Sequence, residues 1–513
     1  MAHGPHHHRP HLRPPGPEDK GGHQGDEVMG MGKASEWLQG LKEFWGEYRR
    51  YKSGIMGLVL LILLAGMALG APLIAPKETY ENWYNPAYWT DYPQEVPPVW
   101  VSYLSGVKKA PHVVMEKGPG DATVLPSAGN TTYVVEFTYS FRYDEPPNDI
   151  LLRVMGRASE EEKAYVSIKV RRPDGQEIVL LPGYETAFPE IYKGMSSKHF
   201  KVGKRSDIGT RIVKWAEKFD TPENVVTASI RPPLGGWVIR ILFSKAEEGI
   251  LVGDAELLKG DYVFTITVVV PKGGELWGTM MIFYGTAYGL LGTDSYGRDL
   301  LAGIVWGARL ALLIGIMTSL ISTIVGVLYG VVSAYLGGLV DEGMMRIYEI
   351  VSSIPLLPVL LILSWQFGVT IWNLAFIMAL FWWTGPVRTV RSMALQIKEE
   401  TYVEAARAIG VGTRRMIMKY IANQILPYAF AIMALGVPGA ILTEAGVSFL
   451  LGGRGVREPT WGKILHDAHK AAATMKGLWW WVLAPGLMIC ITGLTFVLIG
   501  NALDRILNPM LRR

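Results

Sequence analysis

Near-uncharged apolar runs recur along the chain at roughly 55–76, 306–334, 350–368, 371–387, 424–450 and 481–503. A helix rising about 1.5 Å per residue needs about 20 such residues to cross a hydrocarbon core roughly 30 Å thick. The pattern therefore predicts six membrane-spanning helices. Only residues 370–373 separate the third run from the fourth, and the fourth meets Arg388 soon after its last apolar residue. Between the first and second runs the period changes. Val134–Tyr143, Ala164–Val170, Glu177–Leu181, Val225–Ile230, Trp237–Phe243 and Tyr262–Val270 are short β-branched and aromatic stretches, several alternating with a period of two. Pro173-Asp174-Gly175 is a turn between two of them. A β-rich domain over 78–288 follows, read as a β-sandwich of immunoglobulin type with a barrel as the alternative.

Residues 78–103, ahead of these strands, are dense in Trp and Tyr. Such faces can line a sugar or peptide groove, but more often they form an interfacial belt or pack an extended arm. Residues 1–32 are rich in His, Pro and Gly and are expected to be disordered. His6, His7 and His8 belong to that tail and are read as low complexity or a cloning remnant, so no metal site is assigned. Residues 33–54 place Trp37, Leu41, Phe44, Trp45, Tyr48 and Tyr51 at helical spacing. That is an amphipathic helix, lying on the cytoplasmic membrane surface or packed into the helical bundle.

Charge sets the orientation. Fifteen Lys and Arg, from Lys42 to Arg513, fall on the side that holds the N-terminus when that side is cytoplasmic, ignoring the long 78–305 segment. Five (Arg454, Arg457, Lys463, Lys470 and Lys476) fall in the short loops opposite, so both termini are expected in the cytoplasm. The 55–76 run is too long and too far from Met1 for a cleaved signal peptide and reads as a retained first span. A net charge of +4 with no basic-aromatic module argues against nucleic acid. Cys490 is the single cysteine, so the β-rich domain must fold without an intrachain disulfide. No nucleophile elbow, metal-binding pair or clustered acid–base set occurs in the spans, which disfavours a membrane enzyme.

Several short segments fall at the ends of these runs. Val403-Glu404-Ala405-Ala406-Arg407-Ala408-Ile409-Gly410 is a helix start and glycine stop between the fourth and fifth runs. Ala71-Pro72-Leu73-Ile74-Ala75-Pro76 closes the first, and Leu291-Gly292-Thr293-Asp294-Ser295-Tyr296-Gly297-Arg298-Asp299 leads into the second. Gly337, Gly338, Asp341, Met345 and Arg346 follow the second, and Ile441–Leu450, containing Glu444, lies in the fifth with Trp461-Gly462 beyond. Together they resemble the dipeptide/oligopeptide family of ABC-transporter permeases, specifically the second, six-span permease, over residues 33–77 and about 290–510.

The resemblance implies an α-helical polytopic protein of the plasma membrane, a type I ABC importer permease, here carrying a large extracytoplasmic β-rich insertion that typical members lack. Residues 55–77 would be the first transmembrane helix, and 289–513 a permease core with five more. The chain would import short peptides, with oligosaccharides as the alternative and a membrane-anchored receptor or adhesin as a distant one. Its implied partners are a homologous permease, two ABC ATPases carrying ATP and Mg, an extracytoplasmic substrate-binding protein and membrane lipid. No cofactor is expected on this chain, because Gly30-Met31-Gly32-Lys33-Ala34 lacks the spacing and the Ser/Thr of a phosphate loop.

In this reading Glu404, Ala405 and Ala406 meet a groove on an ATPase, and Gly410 allows the left-handed turn that reverses the chain. Gly292, Thr293, Asp294, Gly297, Arg298 and Asp299 form the motif before the second span, its charges expected in local ion pairs and caps at the outer surface. Glu444 is costly in an apolar span, so it should make a structural hydrogen bond or face the translocation path. The family also places a Leu-Pro pair at a set distance after the glutamate loop. Asn423 stands where that proline is expected, and Leu426-Pro427 comes about one helical turn later.

Overall fold

The computed structural model describes residues 42–127, 129–158, 162–367, 370–451 and 458–507. The His-rich tail, the first part of the 33–54 helix, and Arg454, Arg457, Arg512 and Arg513 lie outside the described residues. Among the described residues four helices are long and apolar enough to cross a membrane: Lys52–Leu69 (α1), Leu300–Leu336 (α5), the stretch Thr413–Leu451 that contains Ala422–Leu451 (α11), and Trp479–Leu507 (α13). At roughly 1.5 Å per residue the 37 residues of α5 extend about 55 Å, well beyond a hydrocarbon core. The third expected run falls on two helices, Gly338–Ser353 (α6) and Leu356–Phe367 (α7), whose axes bend by 70°. Pro355 causes the break by holding Ile354 extended, at φ −76° and ψ 122°. The fourth divides at Trp383 into Ile371–Trp382 (α8) and Thr384–Lys398 (α9). Single helices thus supply four of the six expected spans, and the bent pair a fifth at most.

The described end of the amphipathic segment packs on the bundle. Tyr48 is buried with Ala502 and Ile506 of α13, and its hydroxyl donates to the Gly54 carbonyl at 2.9 Å. Thr401–Ala408 (α10) and Trp461–Lys470 (α12) are the short helices on either side of α11.

The described residues of the insertion form ten strands in two antiparallel sheets facing each other across a shared apolar core. One sheet is ordered β1-β10-β4-β8-β7, from Val113–Lys117, Glu275–Tyr284, Asp149–Arg157, Met195–Lys201 and Glu190–Tyr192. The other is β2-β3-β9-β5-β6, from Thr123–Ser127, Asn130–Phe141, Gly260–Pro271, Ala164–Arg171 and Glu177–Thr186. Two facing sheets make a sandwich rather than a barrel, and Asp174-Gly175 turns β5 into β6, with Gly175 at φ 80°.

Two of the expected strands are helices instead. Val225–Ile230 lies on Pro222–Ser229 (α3) and Trp237–Phe243 on Gly236–Phe243 (α4), which with Ser206–Ala216 (α2) join β8 to β9. The α3 start has a local cause: the Thr221 hydroxyl accepts from the Asn224 N–H at 3.4 Å, Pro222 occupies the first turn, and Glu223 follows. Val225 and Val226 are β-formers overridden by that cap. Thr221→Ala should cost about 1 kcal/mol, read as a lower thermal midpoint of the purified protein.

The insertion meets the bundle through two chain segments running side by side. Thr286 N–H donates to Ala110 O at 3.0 Å, Tyr288 N–H to Pro97 O at 2.9 Å, Val99 N–H to Gly289 O at 3.0 Å and Thr293 N–H to Val96 O at 2.9 Å. Part of the aromatic arm is packing material. Trp83 and Trp89 are buried edge to face, 5.7 Å apart, among Trp306, Trp480 and Trp481. A Cβ at Gly303 of α5 would lie 2.4 Å from the Trp83 ring.

Candidate functional site

The segment before α5 is a fastening point for three parts of the chain. Asp294 is 0% exposed and Arg298 2%, so these two motif charges are buried inside the protein. Asp294 Oδ1 accepts from the Tyr296 and Arg298 N–H groups, both at 2.9 Å, while Oδ2 pairs with Arg298 Nε. Arg298 Nη2 reaches Asp467 of α12 at 2.7 Å, and Asp467 also pairs with Lys463 at 2.8 Å. The guanidinium lies 4.8 Å from the Trp83 ring centroid. Burial alone would lower the Arg298 pKa, but the two carboxylates outweigh it and hold the group above its usual value. The four charges balance, and the arrangement is an anchor without exposed reactive groups.

The other motif residues complete it. Asp299 caps α5 by accepting from the Leu301 N–H at 2.9 Å. Thr293 Oγ1 accepts from the Val96 N–H at 3.3 Å, and its carbonyl from Trp480 Nε1 at 3.2 Å. Gly292 and Gly297 have φ of 76° and 82°, and a Cβ there would come within 2.5 Å of Val96 O and 2.9 Å of Tyr92 O. Both positions need glycine for conformation and for space. Asp467 is a partner that sequence reasoning did not name, while Lys463 entered it only as a loop charge and Trp83 only as one of the arm's aromatics.

Glu444 lies inside α11 and is 3% exposed. Its Oε1 accepts from Ser448 Oγ at 2.7 Å, and the Thr460 side chain at the start of α12 is a second partner. Structural hydrogen bonding, one of the two expected roles, is what this geometry supplies.

The glutamate loop is built on α10. Val403 and Ala406 are buried among Val331, Ala334, Val390, Ala394 and Met416, which fixes the helix to α5 and α9. Ala406 therefore faces its own bundle rather than a partner, a correction to the sequence reading. Glu404 and Ala405 are exposed, and Ile409, which sequence reasoning passed over, is 81% exposed beside them. The helix ends in a Schellman turn: Gly410 N–H donates to Arg407 O at 3.0 Å and Val411 N–H to Ala406 O at 3.1 Å, with Gly410 at φ 80°. The stretch Met416–Ile421 that follows is π-helical and leads directly into α11. Pro427, one turn later than the family places its proline, lies inside α11, four residues after Asn423. It cannot donate to the Asn423 carbonyl, so the α11 ladder is interrupted there.

The family described as the inner membrane component of binding-protein-dependent transport systems matches residues 323–513. The N-terminal transmembrane domain of oligopeptide transport permease C matches residues 41–94. The sandwich lies between these two stretches. A multi-pass permease component of that class is what the helices and the two matches define. The oligopeptide transport system permease protein OppC of Haemophilus influenzae is 38% identical over 224 residues, covering 43% of this chain and 70% of the relative. The dipeptide transport system permease protein DppC of Bacillus subtilis is 36% identical over 224 residues, 43% of this chain and 69% of the relative. The OppC of Escherichia coli K12 is 36% identical over 220 residues, with 42% and 71% covered. The chain belongs to this family of oligopeptide and dipeptide transport permeases, which are transport components and not enzymes.

Proposed function

We propose that this chain lines, with a homologous second permease, the path by which short peptides enter the cell, driven by two ATPases and supplied by an extracytoplasmic binding protein. In that arrangement both termini and α10 lie in the cytoplasm, and α5 to α13 with α1 provide six crossings, the third and fourth as interrupted helices. The carrying observation is α10: a short helix locked inward by Val403 and Ala406 and stopped at Gly410, leaving Glu404, Ala405 and Ile409 free for a partner. ATP-driven closure of the ATPases would pull on that helix and bias the permease pair between inward- and outward-facing states. The test is uptake by proteoliposomes holding all five components. ATP-dependent accumulation of a labelled tripeptide is expected. Accumulation of maltotriose in its place would overturn the substrate, and ATP-independent flux would overturn the coupling.

The sandwich, in the same reading, stands over the outer mouth and positions the binding protein. The neck at Ala110 and Thr286 marks where it can be removed. A cut joining Lys77 to Leu290 would also take out the buried Trp83 and Trp89. Replacing residues 111–285 by a short Gly/Ser linker should leave the ATPases bound and weaken binding-protein-dependent uptake. Unchanged uptake rate and affinity would exclude the sandwich from substrate delivery.

A further inference from the structure

A cavity of about 580 Å³ opens between the arm and the face of the first sheet that points away from the sandwich core. Alternation along β1 sets this face: Val113 and Met115 pack toward the core, so Val114 and Glu116 point into the cavity. Four tyrosine rings line it, Tyr88 and Tyr92 from the arm, Tyr192 from β7 and Tyr288 beyond β10.

The walls are rigidly built. Arg153 of β4, its side chain 4% exposed, pairs with the cavity residue Asp91 at 2.7 Å and lies 3.6 Å from the Tyr192 ring centroid. The Tyr284 hydroxyl donates to Thr90 O at 2.5 Å and so pins the arm to the sheet. Tyr192 leads into a two-residue hairpin turn, Lys193 at φ 47° and Gly194 at φ 80°, which returns the chain to β8.

Three features describe what would fit. Glu116 lies on β1 and Lys193 at the end of β7, the two outermost strands of this sheet, so a carboxylate and an ammonium stand on opposite edges with the rings near both. Among the described residues β7 pairs only with β8, leaving a free backbone edge. His112 Nδ1 is buried at the cavity and no described group pairs with it. Burial, against the pull of Asp91, takes this imidazole down to about 4, so it is neutral at ordinary pH and can donate or accept. A short peptide carries an α-ammonium, an α-carboxylate, an unpaired backbone and side chains that stack on tyrosine. An oligosaccharide could stack on the same rings but has neither terminal charge.

We propose that this cavity receives a short peptide, with Glu116 holding its α-ammonium, Lys193 its α-carboxylate, and the tyrosine rings its side chains. The proposal rests on the peptide-importer reading and adds a site in the sandwich to it. The test uses the full-length permease in nanodiscs, without binding protein or ATPases, titrated calorimetrically with Ala-Phe-Ala. Saturable binding is expected, weakened at least tenfold by N-acetylation plus C-amidation of the peptide or by Glu116→Gln with Lys193→Met. Both side chains are exposed enough for these changes to leave folding intact, and His112→Phe should weaken binding independently. Binding that ignores the caps and all three substitutions would place the peptide elsewhere, and preferential binding of maltotriose would overturn the ligand class. If the wild-type permease binds no peptide while the complete proteoliposome system still imports it, this site fails and the importer reading stands. If neither binding nor import is seen, both fall.

Discussion

Replacing Arg298 with methionine should destabilise the permease by about 3–5 kcal/mol, the range for removing one partner of a buried charge network. The cost comes from what remains. Asp467 keeps Lys463, but Asp294, 0% exposed, keeps only backbone N–H donors for its charge. Trp83 also loses the guanidinium against its ring. Pairing the change with Asp294→Asn should recover part of the loss, because no uncompensated buried carboxylate is left. Arg298→Lys should recover less, since a single ammonium cannot hold two carboxylates with a planar fork. Thermal unfolding of the purified permease in detergent measures all three. An unshifted midpoint for Arg298→Met would show that the junction of arm, α5 and α12 is held by packing alone.

That junction marks the limit of what the sequence could disclose. The motif from Gly292 to Asp299 was legible as a unit, and the two glycines and the Asp299 cap behave as residue chemistry demands. Its destination was not legible: Asp467 follows Arg298 by 169 residues, and nothing local in either segment names the other. The apolar runs revealed α1, α5, α11 and α13 because each of these runs lies on a single helix. The third and fourth runs misled where Pro355 and Trp383 break helices inside an apolar stretch, since hydropathy is blind to backbone geometry.

In the insertion, β3, β5, β6 and β9 were found because their alternation is visible. By contrast β4 and β10 were missed for a physical reason. From Ile150 to Gly156 every residue of β4 is buried, as are Gly278 to Tyr284 of β10. One face of these strands meets the sandwich core. The other is covered by Tyr192 and the arm, which erases the period of two. The same covering made the aromatic arm ambiguous from sequence: Trp83 and Trp89 are core residues, while Tyr88 and Tyr92 line a cavity.

At the end of α10, Gly410→Val should leave the permease folded and inserted but poorly coupled. No atom lies within 4 Å of a Cβ built at Gly410, so the substitution meets no steric barrier. Its penalty is the backbone: a β-branched residue at φ 80° costs on the order of 1–2 kcal/mol, and the relief available is to unwind the turn. Unwinding breaks the Val411-to-Ala406 bond and releases the end of α10 that carries Ile409. If 1.4 kcal/mol of the coupling contact is lost, ATP-driven uptake falls about tenfold. Glu404→Lys should do comparable damage through charge with no effect on folding, because Glu404 is exposed and the helix is fixed by Val403 and Ala406. Ala406→Leu separates the two sides of the helix. It overpacks the bundle and should lower stability by about 1–3 kcal/mol, with uptake falling in step with the amount of folded protein. Uptake per folded permease, measured beside ATPase activity in proteoliposomes, distinguishes these outcomes. Full substrate-driven uptake by Gly410→Val and Glu404→Lys at normal expression would remove α10 from the coupling path.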